Sequence, residues 1–350
     1  MHLTTLWFIL IAVLWTGYFV LEGFDFGVGA LLPVLGRDEL DRRVMLRTLG
    51  PLWDGNEVWL LVAGGATFAA FPEWYASMFS GFYLALLLIL VALIVRGLAI
   101  EYRNKQDDVV WRRRWDIAIT ASSAAPALLW GVAFANIVRG VPLDASHRYT
   151  GTFITLLNPY ALLGGLVTLS LFLLHGAVFL ALKTDGDIRQ RSRHLAGQLG
   201  VAAIALAALF LGITQARHGK AITDITAAIA AVALIGAVAA NGKGREGWAF
   251  LGTAVTIAFA VATLFGDLWP NVLPSSTAGA FSLTVRNAAS SAYTLGVMTW
   301  VAAFATPVVL AYQGWTYWVF RKRISRTDFA TAVTVPAQDA KNVETAAVTP

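Results

Sequence analysis

The sequence predicts an all-α integral membrane protein with about nine transmembrane helices. Of its 350 residues, 57% are hydrophobic and 13% are charged, and this charged share is about half that of a typical soluble domain. Apolar runs of roughly 20 residues or more recur along the whole chain, each long enough to cross a hydrocarbon core of about 30 Å as a helix. Both observations argue against a water-soluble fold.

Polar breaks divide the chain into nine predicted spans, and the loops between them predict its orientation. The loops after spans one, three, five and seven, together with the C-terminal tail, hold most of the Lys and Arg residues. Because positively charged loops stay in the cytoplasm, we expect the N-terminus outside and the C-terminus inside. The predicted spans are residues 6–35, 51–71, 75–100, 116–138, 155–182, 195–214, 221–240, 248–269 and 289–319.

Composition and motifs narrow the function classes further. The chain contains no cysteine, so it offers neither disulfides nor thiolate ligands. Its net charge of +5 lies in short loops between apolar runs, which indicates membrane orientation and gives no reason to expect a nucleic-acid partner. No phosphate-binding loop, nucleophile elbow or HExxH motif occurs. We expect residues 1–320 to form one multi-pass membrane domain and 321–350 a disordered cytoplasmic tail.

Ionisable residues inside predicted spans are the strongest functional signal, because each costs several kcal/mol unless it is paired, neutralised or hydrated. Span one contains Glu22 and Asp25, and span two contains Asp54 and Glu57. The spacing of three residues places each pair on one helix face. The rise per residue places Asp54, Glu57 and Arg96 at similar depth near the inner surface, which predicts one electrostatic cluster. Either the residues form a proton route, or Arg96 neutralises a carboxylate and holds the bundle together.

A metal or haem site within this chain has little support from the sequence. His175 is the one histidine that falls inside a predicted span. Haem or copper would need at least one further ligand near it. A packing role with hydrogen bonds is therefore the favoured interpretation, and we expect this chain to bind no haem on its own.

Three function classes remain after these exclusions. The buried carboxylates are compatible with a subunit of a membrane oxidoreductase, with a proton-coupled secondary carrier, or with a purely structural membrane partner. Carriers commonly show broken helices in corresponding halves around a midplane site. No such pair of broken helices is evident in this sequence, so the carrier is the alternative rather than the first choice.

Two segments carry a resemblance to a known family. Residues 22–29, EGFDFGVG, and residues 50–60, GPLWDGNEVWL, resemble the signature of subunit II of cytochrome bd oxidase. The similarity continues in order over nearly all of residues 1–320, with further matches at 79–83, 96, 101–103, 131–136, 140–142, 158–160, 175–177, 181–184, 270–276 and 282–284.

The resemblance implies a fold and a division of labour within a complex. The family fold has nine transmembrane helices, in two four-helix bundles plus one peripheral helix. Its subunit I carries two b-type haems, haem d and the quinol-oxidising loop, whereas subunit II resembles a haem-free scaffold. The complex uses quinol to reduce dioxygen to water in the bacterial cytoplasmic membrane. Whether a structural quinone, a lipid or a small accessory subunit also binds stays open.

The resemblance also implies roles for individual residues. Trp53 and Asp54 match residues at the mouth of a proton route that starts in the cytoplasm and follows the subunit interface, and Glu57 extends that route. Asp25 and Arg96 match a buried charged pair important for the haem region, and Glu22 joins this network. The resemblance supplies the expected roles of Trp53, Asp54, Asp25 and Arg96. Glu57 and Glu22 are added because they are ionisable and lie inside the same predicted spans.

The loop charges generate a topology prediction. Reporters fused near Gly36 and Arg103 should report the cytoplasm, because the loops at these two positions are rich in Lys and Arg. Reporters near Pro72 and Pro274 should report the outside. Paired phosphatase and fluorescent-protein fusions measure this. An outside signal at Arg103 would contradict the predicted orientation.

Overall fold

The computed structural model describes residues 2–330, and residues 331–350 of the predicted tail lie outside the described residues. Helices dominate the architecture, and two short strands form a small antiparallel sheet. The helices are α1 (Leu3–Ala30), α2 (Leu32–Leu35), α3 (Glu39–Leu49), α4 (Trp53–Ala70), α5 (Pro72–Gly81), α6 (Tyr83–Tyr102), α7 (Val109–Arg139), α8 (Phe153–Leu156), α9 (Pro159–Lys183), α10 (Gly186–His218), α11 (Ala221–Gly242), α12 (Glu246–Leu268), α13 (Ala292–Val319) and α14 (Thr327–Ala330), and the strands are β1 (Asn271–Leu273) and β2 (Leu283–Thr284).

The prediction of an all-α membrane protein is confirmed. Within residues 2–330, eight helices are long and apolar enough to cross a membrane: α1, α6, α7 and α9–α13. The second predicted span corresponds to α4, whose 18 residues extend about 27 Å but begin with a polar turn. The count of nine crossings therefore stays a prediction, since each of the other eight helices contains a long apolar stretch that α4 lacks.

Several helices differ from the predicted spans at their ends. The third predicted span, 75–100, is split into α5 and α6 by a break at Phe82. Helix α7 begins seven residues before the predicted span, at Val109, where the Asp108 side chain caps the amides of Val110 and Trp111. Hydropathy marks only the part of a helix that lies in hydrocarbon. Capping and helical propensity continue these helices into the polar interface.

Helix α1 occupies the centre of the bundle and contacts α4, α7, α9 and α12. It approaches α9 closely where Gly27 faces Gly176. A Cβ atom at Gly27 would lie 1.9 Å from the carbonyl oxygen of Phe172, and one at Gly176 would lie 2.5 Å from the carbonyl carbon of Gly27. Two glycines therefore bring these backbones together, as small residues do in membrane bundles.

Loops on one side of the bundle are tied together by ion pairs, and we call this side the charged face. The fully buried Arg103 pairs with Glu39, at 2.9 Å, and with Asp116. Arg191 reaches the buried Asp41 at 2.6 Å. Burial opposes ionisation of Glu39, but hydrogen bonds and positive charge from Arg103 outweigh it and lower the pKa of Glu39. The charged face therefore consists of loops that the sequence predicts to lie on the same side of the membrane.

The start of the predicted tail also contacts the charged face. The amide of Ile324 donates to the carbonyl of Lys183 at 2.8 Å. Arg326 pairs with Asp38 at 2.7 Å and with Asp41 at 2.6 Å. Residues 321–330 therefore pack on the loop before α3 and on the end of α9.

The opposite side of the bundle is covered by the segment between α12 and α13. Strand β1 pairs with β2, and Val141, which follows α7, bridges to Ser275. The amide of Ser290 donates to the carbonyl of Ala70 at 2.9 Å, which ties this cover to the end of α4.

The close approach of α1 and α9 generates a stability prediction. Gly176→Val should reduce the yield and the melting temperature of the protein, because a side chain at this backbone contact forces the helices apart at a cost of about 1–3 kcal/mol. Thermal unfolding in detergent measures the effect. Gly197→Val in α10 is the control, since a Cβ at Gly197 meets nothing within 4 Å. Equal melting temperatures for the two variants would contradict the prediction.

Candidate functional site

An arginine within the bundle forms the centre of the candidate site. Arg96 lies in α6 and is 1% exposed. Its guanidinium forms an ion pair with the fully buried Glu22 of α1, and its Nη2 lies 3.3 Å from Oε2 of Glu57 in α4. The guanidinium also lies over the ring of Phe26, 4.8 Å from the ring centroid. One cation therefore connects three helices.

The charges of this cluster do not cancel. One arginine faces two carboxylates, so the fully ionised group would carry one net negative charge. A buried charge without a partner is strongly unfavourable, whereas a carboxyl group can become neutral by taking up a proton. Within residues 2–330, Nε and Nη1 of Arg96 have no hydrogen-bond partner. Uptake of one proton at Glu22 or Glu57 would cancel the surplus negative charge of the cluster.

Asp25 lies beside this cluster but does not pair with the arginine. It is fully buried, and its Oδ2 accepts a hydrogen bond of 2.7 Å from Nδ2 of Asn56. Across the described part of the chain, the ion pairs of Arg96 are with Glu22 and Glu57. The expected direct pair of Asp25 with Arg96 is thus corrected, because Asn56 of α4 takes the hydrogen-bonding position at Asp25.

The two residues expected at the mouth of the proton route lie at the start of α4. Asp54 is exposed and forms no ion pair among residues 2–330. Asp54 therefore lies outside the ion pairs of Arg96, because its side chain lies on the outer side of α4, and its membership of the wider electrostatic cluster stays a prediction. Trp53 is half-buried and packs on α6, where a Cβ at Gly97 would lie 3.3 Å from its ring.

Four residues that the sequence reasoning missed complete the site. Oδ1 of Asn56 accepts hydrogen bonds from the Tyr317 hydroxyl at 2.8 Å and from Nε2 of Gln313 at 3.2 Å. The indole of Trp59 donates to Oε1 of Gln313 at 2.7 Å. Asn56 and Trp59 fall inside the segment that carries the resemblance, and an amide between two carboxylates of one span was a signal for Asn56. No sequence signal linked Gln313 or Tyr317 to this site.

His175 is a packing residue in this structure. Its Nδ1 lies 2.6 Å from the hydroxyl of Thr253, and its Nε2 lies 3.1 Å from the carbonyl of Val20. Its ring stacks on Phe250 at 4.6 Å between centroids. Both ring nitrogens therefore bind protein groups and are not available to a metal. In the described residues, no three His, Cys, Asp or Glu side chains are grouped as metal ligands.

Comparison with known sequences assigns the family. The family model described as cytochrome bd terminal oxidase subunit II matches residues 3–320. The chain is 42% identical over 329 residues to the cytochrome bd ubiquinol oxidase subunit 2 of Bacillus subtilis strain 168, covering 92% of this chain and 97% of that one. It is 37% identical over 361 residues to the cytochrome bd-I ubiquinol oxidase subunit 2 of Escherichia coli K12, covering 92% and 95%.

The fold agrees with a solved structure. A chain described as part of the structure of bd oxidase from Geobacillus thermodenitrificans superposes with a TM-score of 0.74, covering 91% of this chain and 97% of that chain at 17% identity. At this low identity, the structural match supports the fold alone. The family assignment rests on the sequence matches, which extend over nearly the whole membrane domain. The chain therefore belongs to the cytochrome bd terminal oxidase subunit II family, whose members are subunits of a respiratory oxidoreductase in bacterial membranes.

Proposed function

We propose that this chain is the haem-free scaffold and proton-route subunit of an oxidase that transfers electrons from quinol to dioxygen. Reduction of dioxygen to two waters consumes four electrons and four protons, so a buried reaction site needs a path for protons. The single observation that carries the proposal is the series of carboxyl groups leading inward from the charged face: Asp54, Glu57, Glu22 and Asp25, with Arg96 between them.

The order of exposure supports a path with a direction. Asp54 is exposed, the Glu57 side chain is 22% exposed, and Glu22 and Asp25 are fully buried. A proton that enters from water meets Asp54 first and Glu57 one helical turn further in. Arg96 then lowers the cost of holding negative charge on Glu57 and Glu22 while neither binds a proton.

The orientation of the chain follows from the same face. The charged face collects the loops rich in Lys and Arg, so we propose that it lies in the cytoplasm. Helix α13 ends at this face, and α1 begins at the opposite side. The N-terminus is then outside, and the carboxyl series draws protons from the cytoplasm.

The haem-bearing subunit I fits best against α4 and α13. Of α13, only Leu295 is buried within residues 2–330, and its exposed aromatic side chains include Trp300 and Phe304. The exposed Asp54 and the partly exposed Glu57 lie on the neighbouring α4. A partner at this surface would border the proton route and enclose its carboxyl groups. Haems held by that partner would carry out electron transfer and bind oxygen.

A structural quinone or lipid has space elsewhere in the bundle. A cavity of about 410 Å³ lies among α7 and α9–α12, with an almost wholly apolar lining that includes Phe210, Leu234 and Val261. An isoprenoid or acyl chain matches such a lining in shape and polarity. We keep this ligand, like a small accessory subunit, as a proposal separate from the proton route.

The alternative of a proton-coupled carrier is not favoured. The chain is similar to oxidase subunits over its membrane domain. Helices α6, α9, α11 and α12 are continuous across their spans, without the paired breaks that carriers place at a midplane site.

Replacement of the central arginine should mainly impair assembly. Arg96→Leu leaves Glu22 and Glu57 buried without their cation, at a cost of about 3–5 kcal/mol for a broken buried pair. The yield of complex and its haem content, read from an optical spectrum after purification through a tag on this chain, should fall strongly. Arg114→Leu is the control, since Arg114 is exposed at the start of α7. A normal haem content in Arg96→Leu would contradict the structural role of the cluster.

Replacement of the outer carboxylate should instead slow turnover. Asp54→Asn keeps the shape of an exposed side chain but removes its proton-carrying group. We expect oxygen consumption per haem d to fall by roughly tenfold, because a positioned proton-transfer group contributes on the order of 100-fold and Glu57 remains as a second carboxyl. Asp187→Asn, at another exposed acid of the charged face, is the matched control. Full turnover per haem d with a loss only of complex yield would make Asp54 structural and refute the route.

A further inference from the structure

A chain of directed hydrogen bonds leads from Trp59 of α4, through the surface helix α13, to the buried Asp25. It runs from the indole of Trp59 to Gln313, from Gln313 to Asn56, and from Asn56 to Asp25. We call these three bonds the amide relay. It joins α4, α13 and α1.

The direction of the amide relay is set at its outer end. An indole N–H can only donate, so the oxygen of Gln313 must face Trp59 and its NH₂ group must face Asn56. The amide oxygen of Asn56 then accepts from Gln313 at 3.2 Å and from the Tyr317 hydroxyl at 2.8 Å. The NH₂ group of Asn56 is left to donate to Oδ2 of Asp25 at 2.7 Å and to the Leu21 carbonyl at 3.3 Å.

The group that sets this direction is itself held in place. The ring of Trp59 lies directly over Gly17 of α1, where a Cβ would approach ring atoms to 2.2 Å. The indole therefore occupies space that any larger residue at position 17 would fill. Its N–H stays aimed at Gln313, and neither amide of the relay can turn over without losing a hydrogen bond.

Helix α13 has few other attachments to the bundle. At its opposite end, the indole of Trp7 donates to the Leu295 carbonyl at 3.2 Å and to the Thr299 hydroxyl at 3.0 Å. Near the charged face, Gln313 and Tyr317 make the polar contacts with α4. Two side chains of a loosely packed helix therefore control the orientation of Asn56 next to Asp25.

We propose that Gln313 and Tyr317 are positioning residues of the proton route, acting on Asp25 through Asn56. An ionised carboxylate only accepts hydrogen bonds, and the relay always presents a donor to Oδ2 of Asp25. Oδ1 of Asp25 has no partner among residues 2–330 and is the oxygen that takes up the proton. The relay thus holds Asp25 ready in its ionised form between proton transfers. This inference rests on the proposed function.

The other ionisable groups around Asp25 lie on four helices. They are Glu22 on α1, Glu57 on α4, Arg96 on α6 and Tyr317 on α13. None of them donates to Oδ2 of Asp25, which is bound by Asn56. The amide relay is therefore a control on Asp25 separate from the arginine cluster.

The test uses the assembled complex with Tyr317→Phe, Gln313→Leu, the double variant and, as a milder second route, Trp59→Phe. Without its two donors, the Asn56 amide can turn its oxygen toward Asp25, and that contact requires a protonated carboxyl. We expect turnover per haem d to fall by about three- to tenfold in the double variant, as for loss of one or two hydrogen bonds, with haem content retained. Tyr83→Phe is the control, since Tyr83 is exposed at the start of α6 and does not lie on the helices proposed to contact subunit I.

Infrared spectroscopy gives a readout that a merely structural role would not change. At neutral pH the double variant, which lacks both donors to Asn56, should gain a protonated-carboxyl band, and this band should vanish when Asp25→Asn is added. If the double variant has the same turnover per haem d as Tyr83→Phe, or gains no new band, the inference is overturned. Full turnover in Asp25→Asn alone would instead refute the role of Asp25 in the proposed route.

Discussion

The ion pairs of Arg96 are the interaction on which the rest of the structure depends. A guanidinium inside a membrane protein is tolerated only with carboxylates beside it, and these come from two other helices. Glu22 fixes α1 against α6, and Glu57 fixes α4 against the same residue. Helix α1 in turn packs its glycine face on α9. The position of one buried charge therefore determines the mutual arrangement of the central helices.

The same requirement creates the chemistry of the site. Two carboxylates around one cation leave a surplus of negative charge, so a proton has a place to reside near the cluster. Asp25 lies beside this group under separate control, because Asn56 of α4 and the side chains of α13 orient its hydrogen bonds. The ion-paired cluster of Arg96 and a carboxyl group with separate hydrogen bonds thus occupy neighbouring positions.

Part of this site was predictable from residue spacing and part was not. Depth along a helix follows from the rise per residue, so Glu57 and Arg96 were correctly expected to meet. Depth does not specify the direction in which a side chain points around its helix relative to a neighbour. Asp54 therefore turned out to be exposed, and Glu22 rather than Asp25 proved to be the partner of Arg96.

The sequence by itself determined the membrane class, the approximate positions of the spans, the set of loops that share one face and the family signature. These properties depend on local composition, since hydropathy, loop charge and motif are read within short windows. Only the tertiary structure decided which buried groups bind each other. Gln313 and Asn56 are 257 positions apart, and Trp59 and Gln313 are 254 apart. No local pattern can reveal such pairs, because packing of α13 on α4 is what brings them within hydrogen-bonding distance.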